Sequence, residues 1–203
     1  MYSLKMPKTA CFAGLLLTAA AATTTAADFS AVPSGQYALD STHAYINFQY
    51  NHLGFSNPTL SFDDFSVDLN LNADDPTQSS VNVTVDVNSV VTGSEIFHDH
   101  LTGGDWFDVA NNPEITFQST SMAMQDDGSY KVMGDLTVKG MTKPLELTVM
   151  INGAKNHPMS GKPVVGLDAA GQLLRSDFGL GKHAPFVGDD VAVSLSIEMV
   201  AAQ

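Results

Sequence analysis

Between residues 130 and 151 the chain alternates in hydrophobicity and then repeats the alternation in reverse. Tyr130, Val132, Gly134, Leu136 and Val138 fall on one face, and Leu145, Leu147, Val149 and Ile151 do so on the return. A period of two is that of a β-strand. Between the two runs lie Gly140, Met141, Thr142, Lys143 and Pro144. Gly140 supplies a positive φ and Pro144 removes a ladder donor, so this stretch predicts a chain reversal and a hairpin. An isolated hairpin is marginal in water, and its apolar faces therefore require a larger sheet.

The same rhythm recurs along most of the chain. Ala44, Ile46, Phe48 and Tyr50 form one run, Phe65, Val67, Leu69 and Leu71 another, and Val81, Val83, Val85 and Val87 the cleanest of all. Ile115 and Phe117 follow, then the hairpin, then Val165, Leu167, Ala169, Gly171 and Leu173, and finally Val191, Val193, Leu195, Ile197 and Met199. These runs predict eight strands, with residues 72–80, 125–129 and 152–163 as turn-rich connectors. Alternation over so many strands means one buried and one wet face. Closing the sheet into a barrel removes its edges, which makes an antiparallel barrel the expected architecture and a two-sheet sandwich the alternative.

One region breaks this rhythm. In residues 92–110, Ser94 suits an N-cap, and Ile96, Phe97, His100 and Leu101 recur at helical spacing. Gly103 and Gly104 end that helix, and Asp105 is placed to cap a second short one holding Trp106 and Phe107. Two short helices are predicted, plugging one end of the barrel.

The first 27 residues have another character. Lys5 and Lys8 precede an apolar run from Cys11 to Leu17, and a small, Thr/Ala-rich stretch ends at Ala27. This is the pattern of a secretory signal peptide, with cleavage expected after Ala27 and Ala22 or Ala26 as alternatives. The apolar run is shorter than the ~20 residues a spanning helix needs. Cys11, the single cysteine, lies at the start of the run, where a lipoprotein cysteine would end it. Residues 28–203 then form one domain without a disulfide. The formal charge of the whole chain is −13, and loss of Lys5 and Lys8 makes it more negative. Such a balance argues against nucleic acid or anionic head groups as partners. Solubility explains it otherwise, since the acidic pairs Asp63-Asp64, Asp74-Asp75, Asp126-Asp127 and Asp189-Asp190 sit at turns or strand ends.

Several stretches, in order, resemble the YceI-like proteins. Tyr37 to Asp40, His43, Ile46 to Phe48 and His52 resemble the opening of that family, and Asp99 to Leu101, Asp105 to Asp108, Pro113, Ile115 and Phe117 its middle. Gly134 to Thr137 with Gly140 to Thr142, and Arg175 to Gly179, resemble its two later motifs. The resemblance implies an all-β fold: an extended eight-stranded antiparallel lipocalin-like barrel with a lengthwise apolar pore and one or two short helices plugging an end. It implies a periplasmic, cofactor-free binding protein for an amphiphilic isoprenoid lipid of quinone or prenyl type, with fatty acid derivatives as the alternative, and a homodimer as a possible assembly.

On that reading the pore wall includes Phe48, Phe62, Val85, Phe117, Leu136, Val138 and Leu147 from the strands. Leu101, Trp106 and Phe107 join it from the plug, and Arg175 and Phe178 from the last motif. An eight-stranded barrel is about the size at which the interior either fills with side chains or keeps room for one small ligand. Generous use of Val, Ala, Gly and Met on inward faces, with 11 Phe spread over most strands, tilts the reading to a cavity. Plain core packing is the competing role of each apolar residue.

The chain departs from the family pattern where arginines are frequent, carrying His98 before Asp99 and Thr102-Gly103 after Leu101; Ala44 and Ser61 are further departures. Loss of two guanidinium groups disfavours a phosphate head group, although Lys139, Lys143, Arg175 and Lys182 remain. A neutral or quinone-like head is expected. Arg175 and Asp177, two apart at a strand end, are read as sharing a face, with Arg175 either pairing a carboxylate at the barrel mouth or touching the ligand head. His98, Asp99 and His100 raise a metal site, with His43 or His52 in support, but residues two apart on a helix diverge by about 200°. No nucleophile elbow, metalloprotease helix or phosphate loop is present. A lipid isomerase and a filled barrel acting as a stress-induced interaction protein are the alternatives to a carrier.

Overall fold

The computed structural model describes residues 27–202. The expected signal peptide and Cys11 lie almost wholly outside them. The described chain runs through β1 (Gly35–His52), β2 (Thr59–Phe62), β3 (Phe65–Leu71), β4 (Ser80–Asp86), β5 (Val90–Val91), α1 (Glu95–Thr102) and β6 (Glu114–Met124). It continues through β7 (Tyr130–Val138), β8 (Met141–Asn156), β9 (Pro163–Leu174) and β10 (Val187–Ala201).

Every pairing is antiparallel, and the order β10-β9-β8-β7-β6-β4-β3-β1 closes because β1 also pairs β10. Closure excludes the sandwich. The barrel has eight staves, two of them interrupted. β2 and β3 both pair β1 and act as one stave broken at Asp63-Asp64. β4 and β5 pair β3 and β2 respectively, as one stave broken by a 3-10 turn, Val87–Ser89. All eight predicted strands correspond to staves, and the interruptions are what concealed β2 and β5. The alternation also missed the first part of β1, because the β1–β10 register shifts between Leu39 and Ala44. A bulge moves successive side chains off the two-residue period.

The hairpin turn is shorter than expected. It consists of Lys139 and Gly140 alone, with φ of 49° and 71°, so Met141 to Pro144 belong to β8. A two-residue loop with both φ positive continues the twist of the flanking strands. Val138 and Met141 form the pair that closes this turn, so by alternation the Pro144 nitrogen faces away from β7. There β8 meets no partner until Leu147 pairs Gly171, and no ladder donor is missed.

Of the two short helices, α1 forms as expected, with the Ser94 side chain accepting from Phe97 N–H. The second does not. Phe107 N–H donates to Leu101 O and Val109 N–H to Thr102 O, so residues 103–109 fold back onto the carbonyls α1 leaves free. Asp108 adopts φ of 53°, outside any right-handed helix.

Inside, two glycines let large side chains lie over the neighbouring stave. A Cβ on Gly134 would lie 2.3 Å from the Phe117 ring, and one on Gly171 would lie 2.8 Å from Leu147. Phe117 and Leu147 are buried and lean into those spaces. Near the strand ends remote from α1, Phe29 and Val32 are buried against the interior, and the Tyr37 hydroxyl donates to Pro33 O at 2.8 Å. The opposite end carries α1 and the 103–109 turns, where Leu101 packs among Ile46, Leu60, Phe62 and Val90.

Candidate ligand-binding cavity

The interior is not filled. A cavity of about 320 Å³ occupies the half of the barrel under α1, where β1 finishes and β10 begins. Every one of the twelve expected pore residues lies on its wall. Phe48, Phe62, Val85, Phe117, Leu136, Val138 and Leu147 project from the staves; Leu101, Trp106 and Phe107 close the top; Arg175 and Phe178 come from the turn after β9. Phe48 stacks on Phe62 with centroids 5.2 Å apart, and Phe62 meets Phe107 edge-on at 6.3 Å. A second cavity of about 100 Å³ continues toward Phe29 and shares Val83, Phe117, Leu147 and Leu195 with the first. Phe117 and Leu147, the side chains admitted by Gly134 and Gly171, thus form a waist between two chambers.

The polar groups of the wall gather at the α1 end. Arg175 is buried, and its four hydrogen bonds all reach backbone carbonyls. Its Nε donates to Gly188 O at 2.8 Å, one terminal nitrogen to Leu180 O and Lys182 O, and the other to Val187 O at 2.8 Å. The guanidinium therefore holds the 180–188 segment in place, and it stands over the Trp106 ring at 5.6 Å. Burial depresses its pKa, partly offset by Asp189 and Tyr50. The carboxylate pairing expected for Arg175 is replaced by these carbonyls. Nor does it share a face with Asp177: the chain leaves β9 in a 3-10 turn, Arg175–Phe178, which turns Arg175 inward and leaves Asp177 exposed.

Trp106 sits at the centre of this end, with the His100 ring at 5.5 Å and the His183 ring at 6.4 Å. His52, His100 and His183 are exposed yet belong to the wall, so the cavity reaches the surface here. Leu53, Phe55, Ile96 and Phe186 are exposed in the segments around that opening, Phe55 by 88%. Tyr50 contributes to the wall, and burial raises its pKa. Of the remaining basic candidates, Lys182 pairs with Asp105 at 2.5 Å, Lys139 donates to Gly104 O at 3.2 Å, and Lys143 is exposed on β8. The first two fasten the 103–109 turns to the barrel.

Sequence reasoning did not single out Tyr50, Leu180, His183 or Val187 as wall residues. Tyr50 carried the alternation signal. The others lie in or beside the irregular segment that Arg175 organises, and no periodicity reveals them.

The metal candidates come apart. His98 Nε2 lies 2.9 Å from Asn88 O, whereas His100 turns to Trp106, the divergence helical spacing requires. Among the described residues, Asp40, His43 and Glu198 bring three ligating atoms within 4.8 Å of one another. None lines the cavity, and the Asp40 carboxylate already accepts from Thr42 N–H and O–H and contacts His43. Among the described residues no helix is long and apolar enough to cross a membrane.

Comparison with known proteins agrees with this geometry. The chain is 35% identical to a UPF0312 protein of Yersinia pestis (strain Pestoides F) over 186 residues, covering 92% of each. The crystal structure of Burkholderia cenocepacia BcnA superposes with a TM-score of 0.71 at 24% identity, over 81% of this chain and 99% of that one. A polyisoprenoid binding domain from Saccharophagus degradans superposes at 0.64 with 17% identity, over 82% and 98%. The YceI-like domain profile matches residues 37–199, and with this continuous match across the barrel the chain belongs to the YceI-like family.

Proposed function

We propose that the protein is an exported, periplasmic binding protein that holds a long-chain isoprenoid lipid, of quinone or prenyl type, for transport, storage or sensing. The observation that carries this reading is the cavity: about 320 Å³ of apolar space inside a closed barrel, with its polar groups confined to the end that reaches the surface. That volume lies in the ~300–1,000 Å³ range of small-molecule sites. Each buried CH₂ contributes about 0.8 kcal/mol, so a flexible hydrocarbon chain gains steadily along such a wall. The polyisoprenoid binding domain of Saccharophagus degradans shares the fold and supports the same ligand class.

The titratable side chains of the wall are Tyr50, His52, His100, His183 and the carbonyl-bound Arg175. A neutral or quinone-like head fits better than a pyrophosphate. Arg175 spends its donors on four carbonyls and Lys182 is paired with Asp105, so neither offers the open fork that phosphate oxygens require.

Native mass spectrometry of the protein purified from its own exported compartment tests this reading, followed by identification of the released small molecule. A stoichiometric prenyl-bearing mass is expected. A bare polypeptide mass that stays unchanged on incubation with quinones overturns it, and a fatty acid mass transfers the site to that ligand class.

A further inference from the structure

The cavity opens among exposed apolar side chains, and each adjoins a residue of the wall. Leu53 follows His52, Ile96 precedes Phe97 and Phe186 precedes Val187. Phe55 is tied to the same place, its N–H donating to His52 O at 2.9 Å. Phe55, Ile96 and Phe186 are 88%, 84% and 77% exposed, so most of each side chain stands clear of the barrel. Single exposed apolar residues are ordinary on a protein surface, but several gathered around one opening mark a contact site.

Charge indicates what that contact is with. The chain carries 22 Asp and Glu, yet residues 51–58 and 183–188 hold no Asp, Glu, Lys or Arg. The two stretches are neighbours: His52 pairs Val187, and a Cβ on Gly188 would stand 3.2 Å from Asn51. Charge returns only at their borders, with Glu95 and Asp99 on α1 and the Lys182–Asp105 pair. Both turns also satisfy backbone donors internally. His52 N–H donates to Ser56 O, Gly54 N–H to Asn51 Oδ1 and Val187 N–H to His183 O. A water-poor medium accepts apolar tips on turns of this kind and rejects carboxylates. With no basic cluster there, nothing draws the rim to anionic head groups.

We propose that this rim docks on a neutral, zwitterionic lipid bilayer, with Phe55 and Phe186 dipping into its interface so that the cavity mouth faces the hydrocarbon. What passes there is the isoprenoid ligand of the reading above, on which this role rests. A prenyl tail then moves between bilayer and cavity without crossing water, where each exposed CH₂ is unfavourable. A protein partner is the competing occupant. Side chains that project singly from turns, around a mouth leading into an apolar interior, favour the bilayer.

The test uses the protein purified from its exported compartment and two kinds of vesicle without isoprenoid: phosphatidylcholine alone, and phosphatidylcholine mixed with phosphatidylglycerol. Flotation is expected to carry the protein up with the neutral vesicles, and less of it with the anionic ones at low salt. Phe55→Ser combined with Phe186→Ser is expected to lower the partition at least about tenfold, because two rings are no longer taken out of water. Neither residue belongs to the wall. The affinity of the double variant for a prenyl benzoquinone in detergent is therefore expected to stay within about twofold, while uptake of that quinone from neutral vesicles slows about tenfold. A wild-type protein that does not float overturns the proposal, as does an unchanged partition in the double variant or tighter binding to the anionic vesicles. A dimer that the double variant breaks, with no flotation, also overturns it and gives the rim to a second copy of the chain. Flotation without any binding of the quinone supports docking and fails the lipid-binding reading, so the two failures are told apart.

Discussion

The two chambers of the barrel are built from the same alternating strands and differ in what closes them. The far chamber is ringed by aliphatic stave residues, among them Met199 and Val165 at 0% and 1% exposure, and is stopped by Phe29. The chamber under α1 is ringed by staves below and by irregular backbone above: the 103–109 turns and the 175–187 segment. Regular strands satisfy their own hydrogen bonds and can present a wholly apolar wall. Irregular backbone cannot, and here Arg175 answers four of its carbonyls and brings charge to the cavity rim. A polar end and an apolar end thus follow from where the strands stop.

The strongest way to break this contrast is to remove Arg175. Arg175→Met strips the partners from Leu180, Lys182, Val187 and Gly188 carbonyls, and charge-assisted bonds of this kind make the expected loss about 4 kcal/mol by urea titration. Hydrogen exchange is expected to rise at residues 180–188 and to stay slow around Val165 and Met199. If both chambers loosen together, they are one cooperative core.

Phe117→Ala attacks the waist. It should cost about 3–4 kcal/mol and join the chambers, so the longest prenyl chain that binds with full affinity should lengthen. An unchanged length limit in a binding series would show that the far chamber takes no part. Gly134→Ala works on the same point from the neighbouring strand: the added methyl meets the Phe117 ring at 2.3 Å and Gln118 O at 2.6 Å, and a loss of about 2 kcal/mol is expected in thermal unfolding.

The smallest effect lies outside both chambers. Thr42 and His43 hold the Asp40 carboxyl down at about 2, from an ordinary 3.8. A group depressed in the folded state stabilises above its unfolded pKa and loses that contribution as pH falls from about 4 to about 2. Asp40 is nearly solvated, so Asp40→Asn should lower stability slightly at neutral pH, and the difference should shrink as pH falls toward 2 and vanish below it. Acid titrations of the two proteins check this, and a difference that stays constant from pH 7 down to pH 2 would mean the side chain acts by packing.

Legibility in the sequence followed the same division. Val81 to Val87, residues 130–138 and residues 145–151 announce their strands because every second residue is buried or half-buried there. The apolar wall residues were readable for that reason, from Phe48 to Leu147. β5 is two residues long and β2 four, too short to show a period, and the bulge in β1 resets its phase. Trp106 is legible as a plug residue of the pore wall, yet its setting among His100, His183 and Arg175 exists only once residues 103–109 fold back instead of forming a helix. The role of Arg175 was half visible. Its place beside a turn could be read, but the carbonyls it serves come from residues 180–188, whose conformation includes His183 at φ of 66° and leaves no periodic trace.

The ring is closed by its first and last strands, with Tyr37 opposite Ala201 and Tyr50 opposite Val191. No interior exists until β10 is in place, however well the central hairpins have formed. Contacts this distant in sequence put folding in the slow class, milliseconds to seconds, and make the last strand the step that turns an open sheet into a closed vessel. A chain arrested before residue 187 would keep most of its hairpins and hold nothing.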